Sequence, residues 1–247
     1  MDKYGLIGYP LGHSFSISYF NQKFADEGIN ARYENFEISS IDILTEVLDK
    51  NPNLRGLNVT IPYKEKVIPF LDSLSPEARA IGAVNVIRVT HEKNKTILKG
   101  FNSDVIGFTQ SIEPMLDKKW HKKALILGTG GASKAVCFGL QKLGINPTLV
   151  SRTPLEGMLG YKDLTAEVMA RHTIIVNCTP LGMMPNENTF APIPYELVSA
   201  RHLLFDCIYN PEETVFLRKG RAQGATIQNG MDMLYGQAKA SWKIWNI

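Results

Sequence analysis

The glycine run Gly128-Thr129-Gly130-Gly131-Ala132 stands between an apolar segment, 124–127, and a helical pattern over 133–143. Glycines let a chain turn sharply and bring backbone N–H groups against a pyrophosphate, while the following helix aims its positive end at the same charge. Ser133 takes the third glycine's place in G-x-G-x-x-G, but strand before and helix after supply the context the motif needs. A nucleotide held by Gly128, Gly130, Gly131 and Ala132 is therefore expected. The next strand, 147–150, ends in Ser151-Arg152-Thr153, where an NAD site usually places an acid for the ribose 2′-hydroxyl. A guanidinium fork and two hydroxyls suit a 2′-phosphate instead, so NADP is expected over NAD.

A second set of reactive side chains gathers at segment boundaries in the first half. Ser14 and Ser16 lie in a glycine- and proline-rich loop after the first strand, where neutral donors can hold a carboxylate. In Asn58-Val59-Thr60-Ile61-Pro62-Tyr63-Lys64, Pro62 reads as the first position of a helix, with Lys64 in its first turn. A cation there opposes the helix dipole, which disfavours the charged ammonium and suits a proton-transferring lysine. The runs 82–85 and 100–104 add Asn85 and Asp104, again at boundaries. Ligands of open α/β sheets bind at the carboxyl ends of strands, so these groups are expected to line one crevice. His13, a lone histidine, is read as structural.

The elements that must position these residues alternate. Strands are expected over 4–7, 31–36, 54–59, 84–89, 96–99, 124–127, 147–150, 174–176, 203–205 and 225–227, with a polar turn around 92–94. Helices are expected over 18–27, over 41–50 capped by Ser40, from Ser75-Pro76-Glu77, from Asp104 to Met115, over 133–143, from Pro211, and over 231–245. The pattern is α/β. Its last helix suggests a return to the first domain, giving residues 1–104 plus 231–247 as a substrate-binding, catalytic domain and 105–230 as a doubly wound nucleotide domain.

Composition sets limits on partners. The chain has 247 residues, 44% of them hydrophobic, and a formal charge of +3, enough for one substantial core or two smaller ones. It carries no basic block of the kind that binds nucleic acid and no apolar run long enough to span a bilayer, so a small-molecule substrate is expected and neither nucleic acid nor membrane. The first residues hold no signal-peptide pattern, and a cytoplasmic monomer or homodimer is expected. Cys137, Cys178 and Cys207 are the three cysteines; far apart in sequence and without metal-ligand spacing, they read as small core residues.

Taken together, these motifs resemble the shikimate dehydrogenase family over nearly the whole length. Ser14 with Ser16, the run 58–64, the run 82–85, and Asn102 with Asp104 resemble its substrate domain. The run 128–132, Ser151-Arg152-Thr153 and the run 177–183 resemble its NADP domain, and Asp206, Tyr209, Pro211, Asn229-Gly230, Met233-Leu234 and Gln237 resemble its closing segment. The resemblance implies an N-terminal α/β substrate domain and a Rossmann NADP-binding domain with the active-site cleft between them. It also implies reversible NADPH-dependent reduction of 3-dehydroshikimate to shikimate in aromatic amino acid biosynthesis. On this reading Lys64 and Asp104 are catalytic; Ser14 and Ser16 take the substrate carboxylate; Thr60, Asn85, Asp104 and Gln237 bind ring hydroxyls, with Tyr209 contributing; and Thr179 and Gly230 join the cofactor site. No metal is implied. Ser151 stands where that family usually has asparagine, so NADP preference rests mainly on Arg152. Two other readings are a sibling that prefers NAD or also oxidises quinate, and a non-catalytic nucleotide sensor.

Overall fold

The computed structural model describes residues 1–12, 14–92 and 95–247. His13 and part of the turn expected around 92–94 lie outside the described residues. The chain is mixed α/β and divides into two compact units, Met1–Ser103 with Ala238–Ile247, and Asp104–Gln237.

The first unit is built on a six-stranded mixed sheet. Its strands are β1 (Asp2–Gly8), β2 (Ala31–Glu37), β3 (Leu54–Val59), β4 (Ser73–Leu74), β5 (Val86–Glu92) and β6 (Lys95–Phe101), and its helices are α1 (Phe15–Asp26), α2 (Leu44–Lys50) and α3 (Pro76–Ile81). The order across the sheet is β2-β1-β3-β5-β6-β4. β1 runs parallel to β2 and β3, while β5 is antiparallel to both β3 and β6. Alternation along the strands sends Ile7, Leu57, Val59 and Ile87 into one core with Val47 of α2, and Tyr4, Leu6 and Val86 into another with Phe20 and Phe24 of α1. The chain's C-terminal residues complete that second core: the Trp245 indole N–H donates to the carbonyl of Ile87 at 3.1 Å. Gly56 has no side chain because a Cβ there would lie 2.3 Å from the Trp245 ring.

The second unit carries α4 (Asp104–Ile112), β7 (Lys123–Leu127), α5 (Gly131–Lys142), β8 (Asn146–Ser151), β9 (Leu159–Gly160), α6 (Ala166–Arg171), β10 (Ile174–Asn177), β11 (Leu203–Asp206), α7 (Val215–Ala222) and β12 (Thr226–Gln228), and α8 (Met231–Trp245) runs from it into the first unit. Its sheet is wholly parallel, in the order β12-β11-β10-β7-β8-β9. The central strands are near-continuous apolar runs, as strands covered on both faces must be. The chain moves outward from β7 through β8 and β9, then returns to the other side of β7 for β10, β11 and β12. That reversal is the doubly wound topology, and it opens a crevice beyond the carboxyl ends of β7 and β10.

Three local expectations are corrected. No α-helix follows β3: residues 64–67 form turns and Ile68–Phe70 a single 3₁₀ turn. The carbonyl of Lys64, which a helix would pair four residues on, instead accepts from the N–H of Val84 at 2.7 Å. The dipole argument for Lys64 therefore has no helix to act through. Pro211 does not start a helix either; α7 begins at Val215, where the Thr214 side chain caps it by accepting from the N–H of Leu217. Finally, α1 begins at Phe15 rather than Ser18, so Ser14 occupies its N-cap position and Ser16 its first turn.

Candidate active site

In the first unit, the sheet's topology brings four polar segments to one edge. Ile7 pairs with Val59, Asn58 with Val86 and Val86 with Phe101, so the ends of β1, β3 and β6 and the start of β5 lie side by side. Immediately beyond them stand Tyr9 to Gly12, Ser14 to Ser16, Thr60 to Lys64, Asn85, and Asn102 with Ser103. Backbone hydrogen bonds lace this edge: Thr60 N–H donates to Ile7 at 2.9 Å, Tyr9 N–H to Ile61 at 3.1 Å, and Asn85 N–H to Phe101 at 3.1 Å. Gly8 is required there, since a Cβ would stand 2.4 Å from the Thr60 methyl.

A buried chain of side-chain hydrogen bonds runs beneath the edge. The Tyr33 hydroxyl donates to Asn58 Oδ1 at 2.8 Å, Asn58 Nδ2 donates to Ser241 Oγ at 3.0 Å, Ser241 and Ser103 hydroxyls lie 3.2 Å apart, and Asn85 Nδ2 donates to Ser103 Oγ at 3.0 Å. The N–H of Ser103 also donates to Asn85 Oδ1 at 2.6 Å. Burial pushes the Tyr33 hydroxyl's pKa far up, while a hydrogen bond with Ser16 pulls the other way. The network thus runs from Ser16 to Asn85 and fixes the amide plane of Asn85 from both ends, its nitrogen donating and its oxygen accepting. Asn58 and Ser103 fall within the runs 58–64 and 100–104 read from the sequence, whereas Tyr33 and Ser241 are supports that sequence reasoning did not single out. Their signal is weak because Ser241 lies 183 residues from Asn58.

The structure places the other expected residues as follows. Ser14, Ser16, Thr60 and Lys64 are half-buried at the edge just described, and the Ser14 side chain makes no cap hydrogen bond to α1. Asp104 is buried as the first residue of α4, one peptide bond beyond Ser103. On the same helix Gly107 packs so closely on α8 that a Cβ would stand 2.3 Å from the carbonyl of Met233 and 2.8 Å from the nitrogen of Gln237. Asp104, one turn before Gly107, and Gln237 therefore belong to the same helix crossing.

In the second unit the glycine turn has the expected form. Gly128 adopts φ +104°, which only glycine takes readily, and a side chain there would press on Cys178 and Thr179 at 3.2–3.3 Å. Gly130 is the N-cap of α5, with open space where a Cβ would stand. The helix begins at Gly131, two residues before the sequence pattern, because Ser133 sits inside the first turn and its hydroxyl donates to the Gly130 carbonyl at 2.6 Å. Gly131 and Ala132 thus supply first-turn N–H groups of a twelve-residue helix, a ready anion seat. At the end of β8, Ser151 Oγ accepts from the N–H of Thr153 at 3.2 Å, and Arg152 is exposed. The bare backbone at Gly130, the helix start and the exposed guanidinium fit a dinucleotide bearing a 2′-phosphate.

Across the reversal point, Asn177 Oδ1 accepts from Thr179 N–H at 3.1 Å and from its hydroxyl at 2.6 Å, and Asn177 Nδ2 donates to Asp206 at 3.0 Å. Asp206, fully buried, also accepts from Thr214 Oγ1 at 2.6 Å and Ile208 N–H at 3.0 Å. Burial raises its pKa to about 6; the bonds from Thr214, Ile208 and Asn177 pull the other way without cancelling the effect. Tyr209 is half-buried, with its hydroxyl's pKa raised by burial. Gly230 closes on β11, its N–H donating to Ile208 at 2.9 Å. All three cysteines pack against the core of this unit, as the sequence reading expects, and Cys178 and Cys207, far apart in sequence, meet with their sulfurs 3.7 Å apart.

A crevice at a strand-order reversal, flanked by such a glycine turn, seats a dinucleotide in doubly wound proteins, so the fold and site define a dinucleotide-binding protein of the doubly wound class. Residues 6–87 match the model of the shikimate dehydrogenase substrate binding domain. The shikimate dehydrogenase (NADP(+)) of Halothermothrix orenii is 39% identical over 98% of this chain and 89% of that protein. Among solved structures, shikimate dehydrogenase 1 from Peptoclostridium difficile aligns with a TM-score of 0.85 and 37% identity, covering 100% of this chain and 92% of that one. The Thermus thermophilus enzyme, in complex with NADP(H) and shikimate, aligns with a TM-score of 0.85 and 28% identity over 99% of this chain and 93% of that one. The chain belongs to the shikimate dehydrogenase (NADP(+)) family.

Proposed function

We propose that this chain interconverts 3-dehydroshikimate and shikimate with NADP(H), a step of aromatic amino acid biosynthesis. The observation that carries it is the family match across both units, one of which holds a dinucleotide crevice and the other a hydroxyl-rich, lysine-bearing sheet edge. The dinucleotide supplies and accepts hydride; the residues of this chain bind, orient and move the proton. Gly128, Gly130, Gly131 and Ala132 receive the pyrophosphate, with Thr179 and Gly230 completing the cofactor edge. Ser151, Arg152 and Thr153 take the 2′-phosphate, where the guanidinium contributes a permanent charge and a planar fork.

Reducing a ring ketone also requires a proton on its oxygen, so a donor must come within hydrogen-bond reach of the carbonyl. Lys64 Nζ is that donor and Asp104 orients it; in the oxidative direction the pair takes the proton from the hydroxyl. Their placement supports the assignment: Lys64 is tied through its carbonyl to Val84, Asn85 follows Val84 and is clamped to Ser103, and Asp104 follows Ser103. Ser14 and Ser16 hold the carboxylate. Thr60, Asn85, Asp104, Tyr209 and Gln237 meet the ring hydroxyls. We place the substrate-binding role on residues 1–104 with 231–247 and the cofactor role on 105–230, in a monomer or homodimer of the cytoplasm. No helix among the described residues is long and apolar enough to cross a membrane.

The test is cofactor reduction followed at the nicotinamide absorbance with shikimate, quinate or no substrate, each with NADP+ and NAD+. Reduction that requires shikimate and favours NADP+ is expected. Turnover of quinate with NAD+ at an equal or higher rate would replace this reading with the sibling activity, and cofactor binding without turnover would replace it with a sensor.

A further inference from the structure

We propose that Cys178 and Cys207 close to a reversible disulfide that weakens dinucleotide binding, a thiol switch in the cofactor edge of the parallel sheet. The inference rests on the reading that Gly128 and Gly230 border the dinucleotide.

The two cysteines face each other one residue beyond the last rung of one ladder. Asn177 at the end of β10 pairs with Asp206 at the end of β11, and each cysteine is the next residue along. Cys178 N–H donates to Leu127 at 2.9 Å and Cys207 N–H to Asn177 at 3.0 Å, so both continue the parallel ladder. Neighbouring strands lie about 4.8 Å apart, inside the Cα separation of roughly 4.4–6.8 Å that a disulfide spans. The sulfurs are already 3.7 Å apart and on the same face; closing the gap to a bond of about 2.05 Å combines side-chain rotation with a small shift of the two strand ends. Both residues are partly buried at the margin of the core.

Their backbones also brace the two glycines at the cofactor edge. A Cβ on Gly128 would stand 3.3 Å from the carbonyl carbon and oxygen of Cys178, and one on Gly230 would stand 2.3 Å from the carbonyl oxygen of Cys207. Both glycines thus lie close against the cysteine backbones, so a shift of the strand ends on bridging is passed to the glycine turn on one side and the Gly230 segment on the other. A bridge that works against its surroundings in this way is readily reduced again, as regulatory disulfides are.

The oxidant is a low-molecular-weight disulfide. Either thiol of the pair makes the first attack once it has lost its proton to solvent, and the exchange is the same with the roles reversed. With Cys207 leading, its thiolate forms a mixed disulfide and releases one small thiolate. Cys178 then loses its proton to solvent and attacks the Cys207 sulfur of the mixed disulfide, which releases the second. The two cysteine sulfurs lose two electrons to the small disulfide, and the two released thiolates take up the two protons. A small dithiol reverses the sequence. Cys137 also lies near Cys178, but burial raises its thiol's pKa to about 11, which removes it from the exchange at neutral pH.

The experiment incubates the full-length protein with oxidised glutathione, then reads intact mass, disulfide-linked peptides and NADP+ affinity by fluorescence titration. Expected are a loss of about 2 Da with a peptide joining Cys178 to Cys207, an affinity at least about tenfold weaker, and full recovery with dithiothreitol. Cys137→Ser should behave as wild type, whereas Cys207→Ser should keep its affinity under oxidant. A persistent glutathione adduct, a bridge to Cys137, or a Cys178–Cys207 bridge that leaves NADP+ affinity unchanged would each overturn the switch. Failure of the reduced protein to bind NADP+ at all would instead overturn the cofactor reading beneath it.

Discussion

Replacing Asp206 with asparagine isolates the energetic consequence of burying one carboxylate beside the cofactor edge. Burial raises its pKa from 3.8 to about 6 despite bonds from Thr214, Ile208 and Asn177. Between those values the folded protein holds a proton that the unfolded chain has lost, so stability falls as pH rises through this window. The raised pKa is worth a few kcal/mol over the full window, of which about 1 kcal/mol falls between pH 5 and 7.5. Asp206→Asn keeps the shape and much of the bonding but cannot titrate. Urea unfolding of both proteins at intervals from pH 5 to 7.5 gives the comparison. The asparagine variant should gain on wild type by about 1 kcal/mol from the acidic to the neutral end. Parallel curves would mean that the three donors outweigh burial and that the carboxylate titrates in its ordinary range.

The same experiment must contend with an opposite slope from histidines. His202 accepts the Ser199 N–H at Nδ1 and faces the Met169 carbonyl at Nε2, and His121 likewise accepts the Asp117 N–H; burial lowers the pKa of both and of His172. The unfolded chain then binds more protons, so their contribution is lost as pH falls below about 6.5; His202→Asn should flatten the acid limb of a melting-temperature profile, and an unchanged limb would clear His202 of that role. Gly107→Ala sets a methyl against the Met233 carbonyl at 2.3 Å, so unfolding should show a loss of about 1–3 kcal/mol, and a neutral result would mean that α4 and α8 part easily. Arg152→Asp should reverse the NADPH over NADH preference in kcat/KM by removing the 2′-phosphate's fork; an unaltered ratio would assign discrimination to other residues.

What could be read from the sequence was what local patterning determines. β3 and α8 were expected at the bounds they have, because an apolar run between polar segments and a long helical period carry their own ends. The glycine turn, its flanking strand and helix, and the polar edge at Ser14, Thr60 and Asn85 were legible as motifs. Distant competition hid the rest. The Lys64 segment has helix-start chemistry, but Val84 claims the carbonyl that would propagate the helix. Pro211 looked like a first helical residue, yet Thr214, which also bonds the buried Asp206, sets the start. β9 and α6 were missed because the strand has two residues and the helix six. The Tyr33–Asn58–Ser241–Ser103–Asn85 chain and the Cys178–Cys207 pair exist only through tertiary pairing, which no local spacing encodes.

The most direct measurement of the catalytic assignment is single-turnover reduction by Lys64→Ala, compared with wild type, alongside NADPH affinity of both. Loss of a general acid should slow hydride transfer by roughly 10²–10⁴-fold while NADPH binds as before, because Lys64 belongs to the first unit's sheet edge and the glycine turn to the second. A variant that turns over at the wild-type rate would contradict the account at its centre and remove Lys64 from proton transfer.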